Sequence, residues 1–305
     1  MLEDRTVYVN GEYIPWNQAT IHLMSHSVGR GSAIYEVMSL HHTASGPAVF
    51  RLDAHTERFF TTADLLHMQL PLSPEEFQQA VKETVRRNGL EEGLIKPIAF
   101  YSQPAWGVIP VDPVLGLSIF AVNPLEDLGG PAFPSDEETT LGISRWRKLD
   151  PETVPVGAKV AAHYINGMMA RREAMDRGFE FTLLLDTQGF LAEGSTESIF
   201  LVNDGILLTP SLGTILDSIT RKSVLEAAPV LGLETREGRI PLEALYEAEE
   251  IFLSGTPMKV LPVKKVEDRM IEGTPGPVSR KLASLLQDIV TGQDERFRRW
   301  LFPVS

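Results

Sequence analysis

Two ionisable side chains stand in surroundings that do not suit them. Lys159, in 155-PVGAKVAAHYINGMM-169, is flanked by Ala158, Val160, Ala161 and Ala162. An amine among apolar neighbours loses the solvation that favours its charge and becomes a competent imine-former or base. A surface lysine whose stem lies along apolar groups would leave the same local sequence. Glu193, in 189-GFLAEGSTESIFLVNDGILLTP-210, lies in a small-residue turn between apolar runs, so its carboxylate must be compensated by backbone N–H groups or by a cation. Two further stretches could hold an anion. In 216-LDSITR-221 either Asp217 or Ser218 can cap a helix whose first N–H groups, at Ile219 and Thr220, form an anion site reinforced by the helix dipole. In 253-LSGTP-257 an apparent strand ends at a turn that leaves the Thr256 hydroxyl and amide at the sheet rim, as a plain turn also would.

Composition narrows the field. The chain has 305 residues, is 43% hydrophobic and carries a net charge of −13, which argues against a nucleic-acid partner, since that affinity comes from Lys and Arg neutralising phosphates. The absence of cysteine removes thiolate nucleophiles and Cys-based metal sites and fits a reducing compartment, so a cytoplasmic location is expected. MLEDRTVYVN lacks the apolar segment of a signal peptide, and no apolar run approaches a membrane span. GxxxxGK[ST], HExxH and GxSxG are missing, and 29-GRGSAI-34 lacks the closing glycine of a dinucleotide fingerprint. His41, His42 and His55 do not reach metal-ligand spacing and are read as solvated or capping residues.

The elements that must position these groups can be read in order. TVYVNGEYIPW alternates about Asn10-Gly11 and predicts a hairpin with a type I′ turn. DAHTERFFTTADLL from Asp53 and SPEEFQQAVKETVRRNGL from Ser73 have helical spacing and start signals, and LIKPIAFYS and LGLSIFAVN read as strands. The Pro, Gly and acid-rich NPLEDLGGPAFPSDEE shows no periodicity and is the candidate connection, dividing the chain into a small α+β domain (1–123), an interdomain loop (124–134) and a larger mixed α/β domain (135–305). The second domain is expected to hold a strand in TTLGISRW, a helix from about Ala161 to Arg177, a buried strand in EFTLLLD, a hairpin turning at Asn203-Asp204-Gly205, a helix in SITRKSVLEAAPVLG, strands in EEIFLSG and MKVLPVKKVE, and a final helix in SRKLASLLQDIV.

Six blocks in order, MSHSVGRGSAIYEV, HTERFF, GAKVAAHYINGMMARREA, GFLAEGSTESIF, LDSITR and AEEIFLSGT, resemble the class IV pyridoxal-phosphate enzymes, the branched-chain and D-amino-acid aminotransferase family. The likeness runs through almost the whole chain. It implies the two-domain class IV aminotransferase fold, pyridoxal 5′-phosphate as cofactor, Lys159 as the amine that forms the Schiff base with it and then carries the Cα proton, and Glu193 as partner of the pyridine nitrogen. Arg58, Ile219, Thr220 and Thr256 are implied as the phosphate cup and Tyr164 as the partner of the phenolic oxygen. Tyr35, Lys96, Trp106 and Pro257 are implied at the substrate, with Val37 and Met258 as further pocket linings, and a loop in YSQPAWGVIPVDP could close over it.

Amino-acid and 2-oxo-acid substrates and a homodimer or higher oligomer follow from the same likeness, with transamination of leucine, isoleucine and valine against 2-oxoglutarate as the leading expectation. The branched-chain enzymes carry Tyr before the Gly of MSHxxxxYG and a Y-I-R-P strand. Here those positions are Arg30 and Leu94-Ile95-Lys96-Pro97, while 34-IYEV-37 looks closer to the D-amino-acid branch. D-amino-acid or (R)-amine transamination, and an aminodeoxychorismate-type lyase reaction, are the alternatives.

Overall fold

The computed structural model describes residues 2–130 and 138–304, so the end of the expected interdomain loop lies outside the described residues. The chain divides into two compact units, Met1–Ala132 with Ala158–Ala162 and Ile289–Ser305, and Phe133–Gly157 with His163–Asp288.

The first unit begins with β1 (Thr6–Val9) and β2 (Glu12–Pro15), whose turn residues Asn10 and Gly11 both have positive φ, as a type I′ turn requires. Then come α1 (His26–Arg30), β3 (Ala33–Tyr35), β4 (Met38–Thr43), β5 (Gly46–Phe50), α2 (Leu52–Leu65), α3 (Pro74–Arg87), β6 (Gly93–Tyr101), β7 (Leu115–Val122) and the short α4 (Pro124–Asp127). That last helix lies in a stretch read from sequence as loop; Asn123 caps it through its side chain. Helix α3 follows its start signal closely: Ser73 accepts from Glu76 N–H while Glu76 reaches back to Ser73 N–H, a reciprocal capping box. Its Phe77 stacks on Phe59 of α2, with centroids 5.0 Å apart, and both rings are fully buried against the sheet.

The second unit holds β8 (Thr139–Arg147), α5 (Tyr164–Asp176), β9 (Phe181–Leu185), β10 (Leu191–Gly194), β11 (Ser198–Asn203), β12 (Ile206–Pro210), α6 (Ile219–Ala227), β13 (Glu234–Gly238), α7 (Leu242–Glu247), β14 (Glu250–Ser254), β15 (Leu261–Val266) and β16 (Arg269–Met270). Among the described residues the sheet order is β10-β9-β8-β15-β14-β11-β12-β13, and a further β10–β11 pairing closes a ring of strands around an apolar core that includes Leu183, Leu201 and Leu253. Parallel β8–β9 and β8–β15 pairs sit beside antiparallel ones, so the sheet is mixed. Helix α8 (Pro277–Val290) leads into β17 (Leu301–Pro303), which pairs with β5 and completes the first sheet as β17-β5-β4-β6-β7-β1-β2, with β3 on β6. The contiguous division read from sequence therefore differs at 158–162 and 289–304. The first segment is tied to β3, where Val160 bridges Ile34, and the second is tied to β5. Among the described residues no helix is long and apolar enough to cross a membrane.

Candidate active site

Lys159 is presented by backbone held on both sides. Its N–H donates to Thr62 Oγ1 on α2 (3.2 Å), and its carbonyl accepts from Tyr35 N–H at the end of β3 (3.2 Å). The approach of the end of α1 to the turn after Lys159 needs Gly31: its φ is +70°, and a Cβ there would lie 2.8 Å from that of Ala162. The Lys159 Nζ stands 4.8 Å from the Tyr35 ring centroid, and Lys96 Nζ stands 5.1 Å from the same ring. Two amines thus share one aromatic ring, which stabilises cations through its quadrupole. Burial pushes the Lys96 amine below its ordinary value, and the Lys159 charge adds to that shift. Tyr35, Lys96 and Lys159, far apart in sequence, are brought together.

Arg58 is held by a residue that the sequence reading did not single out. Glu36, fully buried just past β3, accepts from Arg58 Nε (2.7 Å) and Nη2 (2.7 Å) in a bidentate pair, and its Oε2 lies 2.7 Å from His55 Nδ1. Burial alone would raise this carboxyl, but the Arg58 charge and the bonds from His55 and Arg58 outweigh it and hold Glu36 at about 2. His55 is pushed the other way, its protonated form disfavoured first by burial, with Glu36 opposing. The expectation that His55 is solvated or capping is corrected: it is buried because residues three apart on α2 share a face, and that face meets Glu36. The available signal was an acid inside the apolar run IYEVM.

The second unit gathers another group around Glu193, which is buried on β10. Glu193 pairs with Ser198 of β11, and Ser198 pairs with Ser254 at the end of β14, so Thr256 follows two residues beyond a strand that shares a ladder with the Glu193 hairpin. Glu193 Oε1 lies 2.5 Å from Lys148 Nζ, and Oε2 accepts from Leu216 N–H (3.2 Å). The compensating cation within the chain is thus Lys148, which the sequence reading missed. The Leu216 bond ties Glu193 to the lead-in of α6. There Ser218, not Asp217, is the N-cap, accepting from Arg221 N–H, and Ile219 and Thr220 occupy the first turn, where N–H groups have no intrahelical acceptor.

Tyr164 opens α5, preceded by a 3-10 turn over Ala161–His163 where a continuous helix from Ala161 was expected. Helix α5 rests directly on the turn after Glu193, since a Cβ on Gly167 would lie 2.4 Å from Ser195 O. The turn itself is fastened by the buried Glu197, which accepts from Ser195 Oγ (3.1 Å) and Thr196 N–H (3.0 Å). Pro257 and Met258 follow Thr256 in the turn after β14, the former exposed and the latter half-buried. Trp106 is 83% exposed, its carbonyl accepting from Arg30 Nη2 (3.2 Å). Among the described residues no cluster of three or more His, Asp or Glu side chains could hold a metal.

In the first unit, an amine over a tyrosine and a guanidinium paired with a buried carboxylate suit an aldehyde and a phosphate; in the second, a helix start and the buried Glu193 carboxylate suit a phosphate and a cationic ring nitrogen. Comparison with known proteins agrees. The family model described as amino-transferase class IV matches residues 33–266. A branched-chain-amino-acid aminotransferase of Pseudomonas aeruginosa is 34% identical over 302 residues, covering 97% of this chain and 96% of its own. That of Escherichia coli K12 is 31% identical over 302 residues, covering 98% and 97%. Among solved structures, the branched-chain amino acid aminotransferase of Thermobaculum terrenum, in its PLP-bound holo-form, superposes with a TM-score of 0.91 at 30% identity, covering 100% of both chains. Both the matched span and the full-length likeness lead to one statement: the chain belongs to the class IV aminotransferase family.

Proposed function

We propose that the chain is a pyridoxal 5′-phosphate-dependent aminotransferase that moves the amino group of leucine, isoleucine or valine to 2-oxoglutarate in two half-reactions. The observation that carries the reading is the fixed presentation of Lys159 over Tyr35 in a chain alike over its full length to branched-chain aminotransferases. When bound, the cofactor supplies the electron sink for negative charge at the substrate Cα.

The chain's own groups do the rest. Lys159 Nζ would hold the cofactor through its aldehyde and, as a free amine, would move the proton at the substrate Cα. Glu193, oriented by Lys148 and Leu216 N–H, would face the ring nitrogen and favour its protonated form. Arg58, oriented by its bidentate pair with Glu36, would hold the phosphate, as would the Ile219 and Thr220 N–H groups and the Thr256 hydroxyl. Tyr164 donates to the phenolic oxygen. Tyr35, Lys96, Trp106 and Pro257 contact substrate, with Lys96 answering the carboxylate.

A homodimer belongs to the same proposal. Leu23, Val28, Trp106, Val108, Ile109 and Val111 are between 51% and 85% exposed. Their two segments are joined by the Ser25–Pro104 bridge and by Ala105 N–H donating to Met24 O (3.2 Å). Exposed apolar side chains on two adjoining segments are typical of a protein interface. A cytoplasmic location rests on composition alone.

Turnover of leucine, isoleucine and valine with 2-oxoglutarate tests the substrate assignment; no turnover of any of them removes it while sparing the cofactor. A second reading, transamination of D-amino acids or (R)-amines, is favoured by 34-IYEV-37, whose Glu36 pairs with Arg58, and by Arg30 in place of the tyrosine. Chiral analysis of the alanine consumed separates the two.

A further inference from the structure

The turn after β14 is closed by more than its backbone. Gly255 N–H donates to Met258 O (2.8 Å), and Ser254 Oγ donates to Lys259 O (2.8 Å). Lys259 Nζ then reaches back and donates to the carbonyl of Thr256. Main chain and side chain together fix the peptide that carries the Thr256 hydroxyl.

Lysine is a costly residue for this task. Partial burial takes water from the ammonium and pushes its pKa down to about 7, whereas a methionine of similar length would fill the space without that penalty. The carboxylates on the adjoining elements are engaged elsewhere. Glu197, in the turn against Gly255, is held by Ser195, Thr196 and Arg171. Glu193 is held by Lys148, and Glu250, at the far end of β14, by Val278 and Ser279 N–H. The other charged groups on the neighbouring strand β15 are Lys264 and Lys265, both cations. What lysine brings that methionine lacks is a positive charge beside Thr256.

We propose that Lys259 is a positioning residue for a phosphate group bound at Thr256: its Nζ orients the Thr256 peptide, and its charge favours the anion. The inference rests on the reading of Thr256 as a phosphate ligand. The charge is present only while the amine is protonated, so phosphate affinity falls as pH rises through 7, where a phosphate monoester is already dianionic.

Binding of pyridoxamine 5′-phosphate, which has no aldehyde to bond Lys159, is measured by fluorescence titration of the full chain at pH 7 and pH 9. The wild type, Lys259→Met, Lys259→Arg and Thr256→Ala are compared. If a charged donor contributes about tenfold, the wild type weakens roughly fivefold from pH 7 to pH 9. Lys259→Met is about fivefold weaker than wild type at pH 7 and insensitive to pH. Lys259→Arg, charged throughout, retains at pH 9 the affinity it has at pH 7. A wild-type affinity unchanged across this range, or a Lys259→Met chain that binds as tightly as wild type while Thr256→Ala binds weakly, overturns the proposal. Thr256→Ala binding as tightly as wild type instead overturns the reading of Thr256 beneath it.

Discussion

Replacing Glu36 by glutamine should cost the first unit about 3 kcal/mol at pH 7. The carboxyl is held at about 2 against an ordinary 4.5, a fall of roughly 2.5 units, and at 1.36 kcal/mol per unit this amounts to about 3 kcal/mol of preference for the folded, ionised form. A second route gives the same size: breaking a fully buried ion pair by removing one partner typically costs about 3–5 kcal/mol, because Arg58 is left without its counter-charge. The sign follows from the direction of the shift. The folded value is depressed, so the contribution is complete above pH 4.5 and drains away as pH falls towards 2. Urea unfolding of wild type and Glu36→Gln should therefore differ by about 3 kcal/mol at pH 7, and the gap should narrow as pH falls below 4.5. Hydrogen exchange of the α2 amides should show where stability is lost. A difference under about 0.5 kcal/mol at pH 7, within the range of an ordinary surface change, would refute the reasoning. So would a gap that stays constant down to about pH 2.5, where this linkage would already be failing.

Gly167→Ala should damage activity and stability together, because its Cβ would lie 2.4 Å from Ser195 O and must displace α5 from the turn after Glu193; a variant with wild-type melting temperature and turnover contradicts that packing. Lys259, depressed to about 7 from 10.5, binds more protons in the unfolded chain than in the folded one between those values. Its contribution to stability therefore rises with pH through that window, and the rise should disappear in Lys259→Met, as paired melting curves at pH 7 and pH 9.5 would reveal. Ser73→Ala removes one side of the capping box on α3 and should cost about 1 kcal/mol by urea denaturation, with no effect on turnover.

Local signals were read well because the physics behind them is local. The Asn10-Gly11 turn, the Ser73 cap and the hydrophobic faces of α2 and α3 each depend on a few adjacent residues. Lys159 and Glu193 stand out locally only as charges among apolar neighbours, and their proposed roles come from the family resemblance. Their partners were not visible. Lys148 on Glu193, Glu36 on Arg58, and the Lys96–Tyr35–Lys159 cluster join segments separated by tens of residues. No periodicity records such pairs, and each residue alone passes for an ordinary surface charge. The return of β17 to β5 is hidden similarly, since a three-residue edge strand carries no pattern of its own. The start of α5 was misjudged because the alanines at 161 and 162 favour helix, whereas in the fold they continue the segment that Val160 anchors to Ile34.

The central claim is that one amine, Lys159, attaches the cofactor. Supplying pyridoxal 5′-phosphate to the purified chain, reducing with borohydride and mapping the modified peptide by mass spectrometry tests it most directly. The account predicts a yellow protein bleached by the reductant, with the pyridoxyl group on Lys159 and none after Lys159→Ala. Modification at Lys96 or Lys259 in place of Lys159, or a chain that stays colourless with cofactor supplied, would contradict it.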